Sequence, residues 1–290
     1  MSERPRVLVG VDGSDDSMRA LSYAQRTAEH RGSDLWIVHA VDDAVLAGAW
    51  GVVYDPTALQ EAGRNVLEEA RQKVIGSGFP HERVHSDVVM GNPGGVLARL
   101  SEKADLMVVG RRSISGLERL FVGSTSVGVA ATSKCPVIMI SAANMPELTG
   151  QFRRIGVGVD NTHRGKAAVE AAFEEASLRG AELEVIHAWQ PPNHFFADWS
   201  DKAEGGEHQQ AVEQGVEELL GPLRRQYPQV RLQVKLIPGH PVPELTARSE
   251  ELDLLYVGVH TIAGFGVGAV VRALMAHSNC PLALVRPHKH

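Results

Sequence analysis

The sequence repeats itself at an offset of 148 residues, as from Asp12 to Asp160, and nothing else constrains the fold as much. Val9-Gly10-Val11-Asp12 returns as Val157-Gly158-Val159-Asp160, and His39-Ala40 returns as His187-Ala188. Gly91 and Pro93 reappear as Gly239 and Pro241, and Gly110 as Gly258, with no gap between them. Self-similarity of that length marks one duplicated structural unit. Two domains are therefore expected, residues 1–143 and 152–290, with a linker around Asn144-Met145-Pro146. Each is long enough to bury its own core.

Within the first copy, apolar runs rich in Val, Ile and Leu alternate with stretches of helical spacing. Strands are expected at 6–11, 34–41, 83–90, 105–109 and 137–141, and helices at 17–31, 58–75, 92–104 and 125–133. Asn92-Pro93 has the form of a helix start, with Asn as cap and Pro where a missing N–H costs nothing. This order specifies an α/β fold: two tandem doubly wound, Rossmann-like domains, each with a five-stranded parallel sheet covered on both faces. Such sheets take ligands beyond the carboxyl ends of their strands, at the topological switch point. Those ends are Asp12, Val41 and Gly110 in the first copy, and Asp160, Trp189 and Gly258 in the second. Segments 42–57 and 190–209 break the pattern and read equally as lids, partner surfaces or packed excursions.

A net charge of −6 argues against a nucleic-acid partner, whose phosphates demand basic contacts. No apolar run approaches the roughly 20 residues of a membrane span. Met1-Ser2-Glu3-Arg4-Pro5 leads directly into a strand, so no signal peptide is expected. Cys135 and Cys280 occupy equivalent repeat positions before a proline, which duplication explains without a disulfide and which suits a reducing cytosol.

The segment after the fourth strand carries the chemistry. It reads Gly110-Arg111-Arg112-Ser113-Ile114-Ser115-Gly116, and later Gly123-Ser124-Thr125-Ser126 opens a helix. Glycines permit close backbone approach, hydroxyls donate hydrogen bonds, and a helix start presents N–H groups in the sense that favours an anion. The layout suits a polyphosphate. Arg111, Arg112 and Arg119 could reverse the field of an acidic protein locally, or stand as solvated surface charge. Asp12 could accept from a ribose hydroxyl or join the shell of a metal.

Val9-Gly10-Val11-Asp12-Gly13-Ser14, the loop 110–124 and Cys135-Pro136-Val137 together resemble the universal stress protein family, and the whole chain resembles its tandem members. ATP-binding members carry Gly, two residues, Gly, nine residues, then Gly and Ser or Thr. Here Gly110 and Gly123-Ser124 keep the outer spacing, while Ser113 replaces the middle glycine. The resemblance implies a cytoplasmic, self-associating protein, expected as a homodimer, that uses ATP, with Mg²⁺, as a regulatory ligand. Carried onto this sequence, it implies an ATP site of Gly10, Val11, Asp12, Ala40 and Val41 with Gly110, Arg111, Arg112, Ser113, Gly116, Gly123, Ser124, Thr125 and Ser126. Asp12 and Val41 would take ribose and adenine, and the loop would take the phosphates.

The second copy departs from that pattern. Thr261 stands where the middle glycine belongs, the offset falls to 145 between Cys135 and Cys280, and Ala269 replaces the hydroxyl after Gly268. A degenerate or weak second site is therefore expected from Gly158, Asp160, Gly258, Gly264 and Gly268.

Other motifs yield less. Gly165-Lys166 is followed by Ala167 and is no phosphate-binding P-loop. His39 and His187 read as packed or hydrogen-bonded strand residues, and no nucleophile elbow or acid–base pair emerges. An enzyme is thus not expected beyond slow ATP hydrolysis or adenylyl transfer, and the Ser-Gly-Gly-x-Asp-Ser loop of ATP pyrophosphatases is absent. A nucleotide-free scaffold dimerising through a sheet edge is the other alternative, and an electron-transfer flavoprotein a distant one.

Overall fold

Runs of Val, Ile and Leu, apolar on both faces of the backbone, are stable only as strands covered on both sides. The structure, a computed structural model, describes residues 4–42, 56–111, 123–141, 153–160, 165–189, 202–262 and 266–287. The first copy forms β1 (Arg6–Gly10), β2 (Asp34–Val41), β3 (Val84–Met90), β4 (Leu106–Gly110) and β5 (Val137–Ile140). Between them lie α1 (Asp15–Arg31), α2 (Pro56–Gly76), α3 (Pro93–Leu100) and α4 (Ser124–Thr132). All pairings are parallel, in the order β3-β2-β1-β4-β5. Leu8, Val9, Ile37, Val108 and Ile138 are fully buried at its centre. The chain winds one way from β1 to β3 and the other way from β4 to β5, so the switch point lies between β1 and β4.

The second copy follows the same plan. It comprises β6 (Arg154–Gly158), α5 (Lys166–Arg179), β7 (Glu182–Trp189), α6 (Lys202–Gln226), β8 (Leu232–Pro238), α7 (Pro241–Arg248) and β9 (Leu254–Gly258). Then come β10 (Thr261–Ile262), β11 (Gly266–Val267), α8 (Ala269–His277) and β12 (Leu282–Val285). Its parallel sheet runs β8-β7-β6-β9-β12. Two features differ from expectation. α6 begins at Lys202, inside the segment read as a connection, because Gly205-Gly206 imitates a linker while its neighbours favour helix. After β9 an antiparallel ladder pairs Thr261 with Val267 and Ile262 with Gly266. By contact, Met1–Leu148 groups with Thr261–Gly268, and Thr149–His260 with Ala269–His290.

One close approach organises the first copy. A Cβ added at Gly110 would stand 2.6 Å from the carbonyl carbon of Asp16 and 2.8 Å from the nitrogen of Ser17. The first turn of α1 therefore rests directly on the last residue of β4, and only glycine leaves room for it.

The copies have also diverged inside. Glu184 of β7 stands at the repeat position of Trp36, and Arg248 at that of Leu100. The buried Glu184 carboxylate takes a bidentate fork from Arg248, Nε to Oε1 and Nη2 to Oε2, both at 2.7 Å. In the first copy Trp36 Nε1–H donates to Asp87 Oδ2 at 2.6 Å instead. The cysteines kept their setting: Ser133 and Ser278 each donate to the carbonyl oxygen of the cysteine two residues on, at 2.8 Å. Burial pushes the Cys135 thiol up to about 11 and the Cys280 thiol up to about 12.

Gly110→Ala is expected to lower unfolding stability by about 1–3 kcal/mol, the usual cost of overpacking. Gly128→Ala, in α4 with open space around its Cβ position, should raise it by about 0.5–1 kcal/mol. Urea denaturation of the two variants checks both signs. Both cysteines should resist a thiol reagent at pH 8 in the native state and react once unfolded. Because the folded thiols bind their protons more tightly than the unfolded value of 9.0, their contribution is intact below pH 9 and is lost as pH rises toward 11–12.

Candidate functional site

Beyond the carboxyl ends of β1, β2 and β4 lies a cleft of ≈ 610 Å³, within the range of small-molecule and cofactor sites. Three helices begin at its wall: α1 through Ser14 and Ser17, α3 through Asn92 and Pro93, and α4 through residues 124–126. Their exposed N–H groups and dipoles favour negative charge.

The β1–α1 turn shapes one side. Gly13 sits at φ +80°, a left-handed conformation that side chains resist. The tight turn brings Ser14 back onto Asp12, whose Oδ1 accepts from the Ser14 N–H at 3.0 Å and from its hydroxyl at 2.5 Å. Ser14 also caps α1 by accepting from the Ser17 N–H at 3.3 Å. Ser17 Oγ in turn accepts from the Asp12 N–H at 3.2 Å. The exposed Asp12 carboxylate is thus aimed by its own turn.

The opposite side belongs to α4 and α3. Gly123 is the N-cap of α4 and contributes no side-chain hydrogen bond to its first turn. Ser124, Thr125 and Ser126 follow at the cleft wall, and Ser126 Oγ donates to the Gly110 carbonyl at 3.3 Å. Asn92 caps α3 by accepting from the Gly95 N–H at 3.3 Å. Neither first turn contains an acidic residue. Val38, Leu97 and Val109 supply apolar wall, and His39, Ala40 and Asp42 its β2 side. Among the described residues no group of three or more His, Cys, Asp or Glu side chains is arranged to hold a metal ion. Among the described residues two carboxylates, Asp12 and Asp42, line the cleft.

Of the residues expected from sequence, Gly10, Val11, Asp12, Ala40, Gly110, Gly123, Ser124, Thr125 and Ser126 meet at this one cleft. Val41 does not. Its buried side chain turns toward α2, 3.3 Å from where a Cβ of Gly63 would stand. Arg111 is also elsewhere. It is 6% exposed, its N–H goes to the Ile140 carbonyl at 2.6 Å, and burial lowers its pKa against the opposing pull of Asp16. Arg112, Ser113 and Gly116 lie outside the described residues, as does Gly264. In the second copy Gly158, Asp160, Gly258 and Gly268 hold the corresponding strand-end and helix-start positions. There α8 opens with Ala269, Val270 and Val271 in place of three hydroxyls.

Sequence reasoning missed Ser14, Ser17, His39, Asn92 and Pro93 as cleft residues. Ser14 and Ser17 carried a signal, since a serine three residues before another after Asp-Gly reads as a helix cap. Asn92-Pro93 was legible as a helix start, but its place at the cleft depends on β3 lying beside β2, which strand order along the chain does not reveal.

The family model for universal stress proteins matches residues 3–141 and matches again over residues 151–286. The chain belongs to the universal stress protein family. The universal stress protein Rv2623 of Mycobacterium tuberculosis is 30% identical over 291 residues, covering 97% of this chain and 96% of that protein. A universal stress protein of Mycolicibacterium smegmatis is 27% identical over 295 residues, covering 97% of each. A solved universal stress protein from Archaeoglobus fulgidus shares the fold, with a TM-score of 0.71 at 19% identity over 97% of this chain and 98% of that one. The family's tandem architecture therefore extends across both repeats. No helix among the described residues is long and apolar enough to cross a membrane.

Ser14→Ala removes both the α1 cap and the hydroxyl on Asp12. It should cost about 1 kcal/mol in urea denaturation, with Ser22→Ala, on the same helix away from the cleft, as the near-neutral comparison.

Proposed function

We propose that the first unit binds ATP in the switch-point cleft, and that occupancy acts on residues 110–124 to regulate a stress response. The observation that supports this reading best is the meeting of Asp12 with the hydroxylated start of α4 across one cleft of ≈ 610 Å³. Ser124, Thr125 and Ser126 with the α4 N-terminus offer N–H and O–H donors to phosphates. Gly110 and Gly123 border the same phosphate side, and the family resemblance assigns Arg112, Ser113 and Gly116 to the phosphates as well. Asp12 would accept from the ribose, with Ala40 and Val109 beside the base. Asp12 or Asp42 would help to hold Mg²⁺, whose other ligands would come from the phosphates and water. When bound it supplies charge neutralisation between the phosphates.

The second unit retains Gly158, Asp160 and Gly258 but lacks first-turn hydroxyls on α8, and in this reading it binds nucleotide weakly or not at all. Family resemblance further supports a cytoplasmic homodimer. Such a ligand shifts a conformational equilibrium only by its differential affinity for the two states. No catalytic residue is assigned.

Calorimetric titration of nucleotide-free protein with Mg-ATP tests the reading. One site per chain is expected, weakened about 10- to 100-fold by Ser124→Ala with Thr125→Ala, the range for hydrogen bonds to a charged group. Absence of heat at millimolar ATP would leave a nucleotide-free scaffold. Turnover above background that disappears with Ser124→Ala would instead favour a slow hydrolase.

A further inference from the structure

We propose that His39 is a positioning residue that fixes Asp12 for the ribose of the bound nucleotide, a role that rests on the ATP reading of this cleft. His39 Nδ1 lies 2.8 Å from the Val11 carbonyl oxygen. A carbonyl only accepts, so Nδ1 carries the hydrogen and donates. The Val11 carbonyl and the Asp12 N–H are the two ends of one planar peptide unit. Its other end donates to Ser17 Oγ at 3.2 Å. Both ends being held, the plane is set, and with it the direction in which the Asp12 side chain leaves the backbone. One residue earlier, the Val11 N–H donates to the Val38 carbonyl at 2.9 Å, so β2 grips this strand end twice.

The ring is itself held in place. A Cβ at Gly63 of α2 would stand 2.8 Å from His39 Cδ2, so α2 passes against the imidazole at a residue without a side chain. The second copy repeats the tie: His187 Nδ1 lies 2.9 Å from the Val159 carbonyl, just before Asp160. It does so although α8 has lost its first-turn hydroxyls. The tie thus accompanies the acid in both copies, with first-turn hydroxyls and without them.

The test compares Mg-ATP with Mg-2′,3′-dideoxy-ATP by calorimetry on the full chain. Wild type should prefer ATP about tenfold, the value of one hydrogen bond to a carboxylate. His39→Phe should bring that ratio close to one. His39→Asn, whose side-chain N–H can take the place of Nδ1–H, should keep it. Gly63→Ala retains the imidazole but displaces it, and should lower the ratio even if the Phe variant fails to fold. A general loss of stability would weaken both ligands alike and leave the ratio untouched. A folded His39→Phe protein with the wild-type ratio, or an Asn variant as impaired as the Phe one, overturns the role of His39 alone. Wild type that binds neither nucleotide overturns the ATP reading and this role together.

Discussion

Backbone pressed against backbone at Gly110 sets the position of everything around the cleft. The first turn of α1 lies on this residue so closely that a methyl group would overlap the Asp16 carbonyl carbon. From the other side, Ser126 of α4 donates to the carbonyl of the same residue. Two helix starts are thereby referenced to one point at the end of β4, next to the end of β1 where the sheet changes winding direction. The opening at that point follows from topology, but its width is set by how near the two helices can come.

Charge is distributed unevenly around this opening in a protein whose formal charge is −6. α1 has two acids in its first turn. One of them, Asp16, is buried, accepts from Arg19 Nη1 at 2.9 Å and faces the buried Arg111. Neutralised in this way, it contributes little field to the cleft. The α3 and α4 first turns carry no acid, so their dipoles act unopposed. Asp12 and Asp42 stand on the β1 and β2 side. The cleft therefore has a donor-rich wall suited to an anion and an acceptor-rich wall suited to hydroxyls or a cation, which an elongated ligand with a charged end and a neutral end can satisfy at once.

Patterning and repeat made the α/β architecture readable because buried parallel strands and capped helices leave strong local signals. The strand ends Asp12 and Gly110 and the hydroxylated start of α4 were readable for the same reason. Val41, expected from the strand end, does not line the cleft, because its side chain is buried beneath α2, a helix whose packing partner on the sheet the linear order of residues does not reveal. Arg111 looked like a phosphate ligand because a positive charge beside a glycine-rich loop carries no label for burial. Its true neighbour, Asp16, is distant in sequence. The short ladder of Thr261–Ile262 with Gly266–Val267 was invisible, two residues per strand being too few for any periodicity.

The pairing of Glu184 with Arg248, where the first copy has Trp36 and Leu100, has a consequence for moving segments between the copies. A chimera that replaced only β7 or only α7 by its counterpart from the first copy would carry one partner of the buried fork without the other. A carboxylate stranded in that interior costs about 3–5 kcal/mol, a large share of the stability of a domain this size. The ion pair thus ties β7 to α7 as one unit in the second copy, a link made by residues particular to that copy.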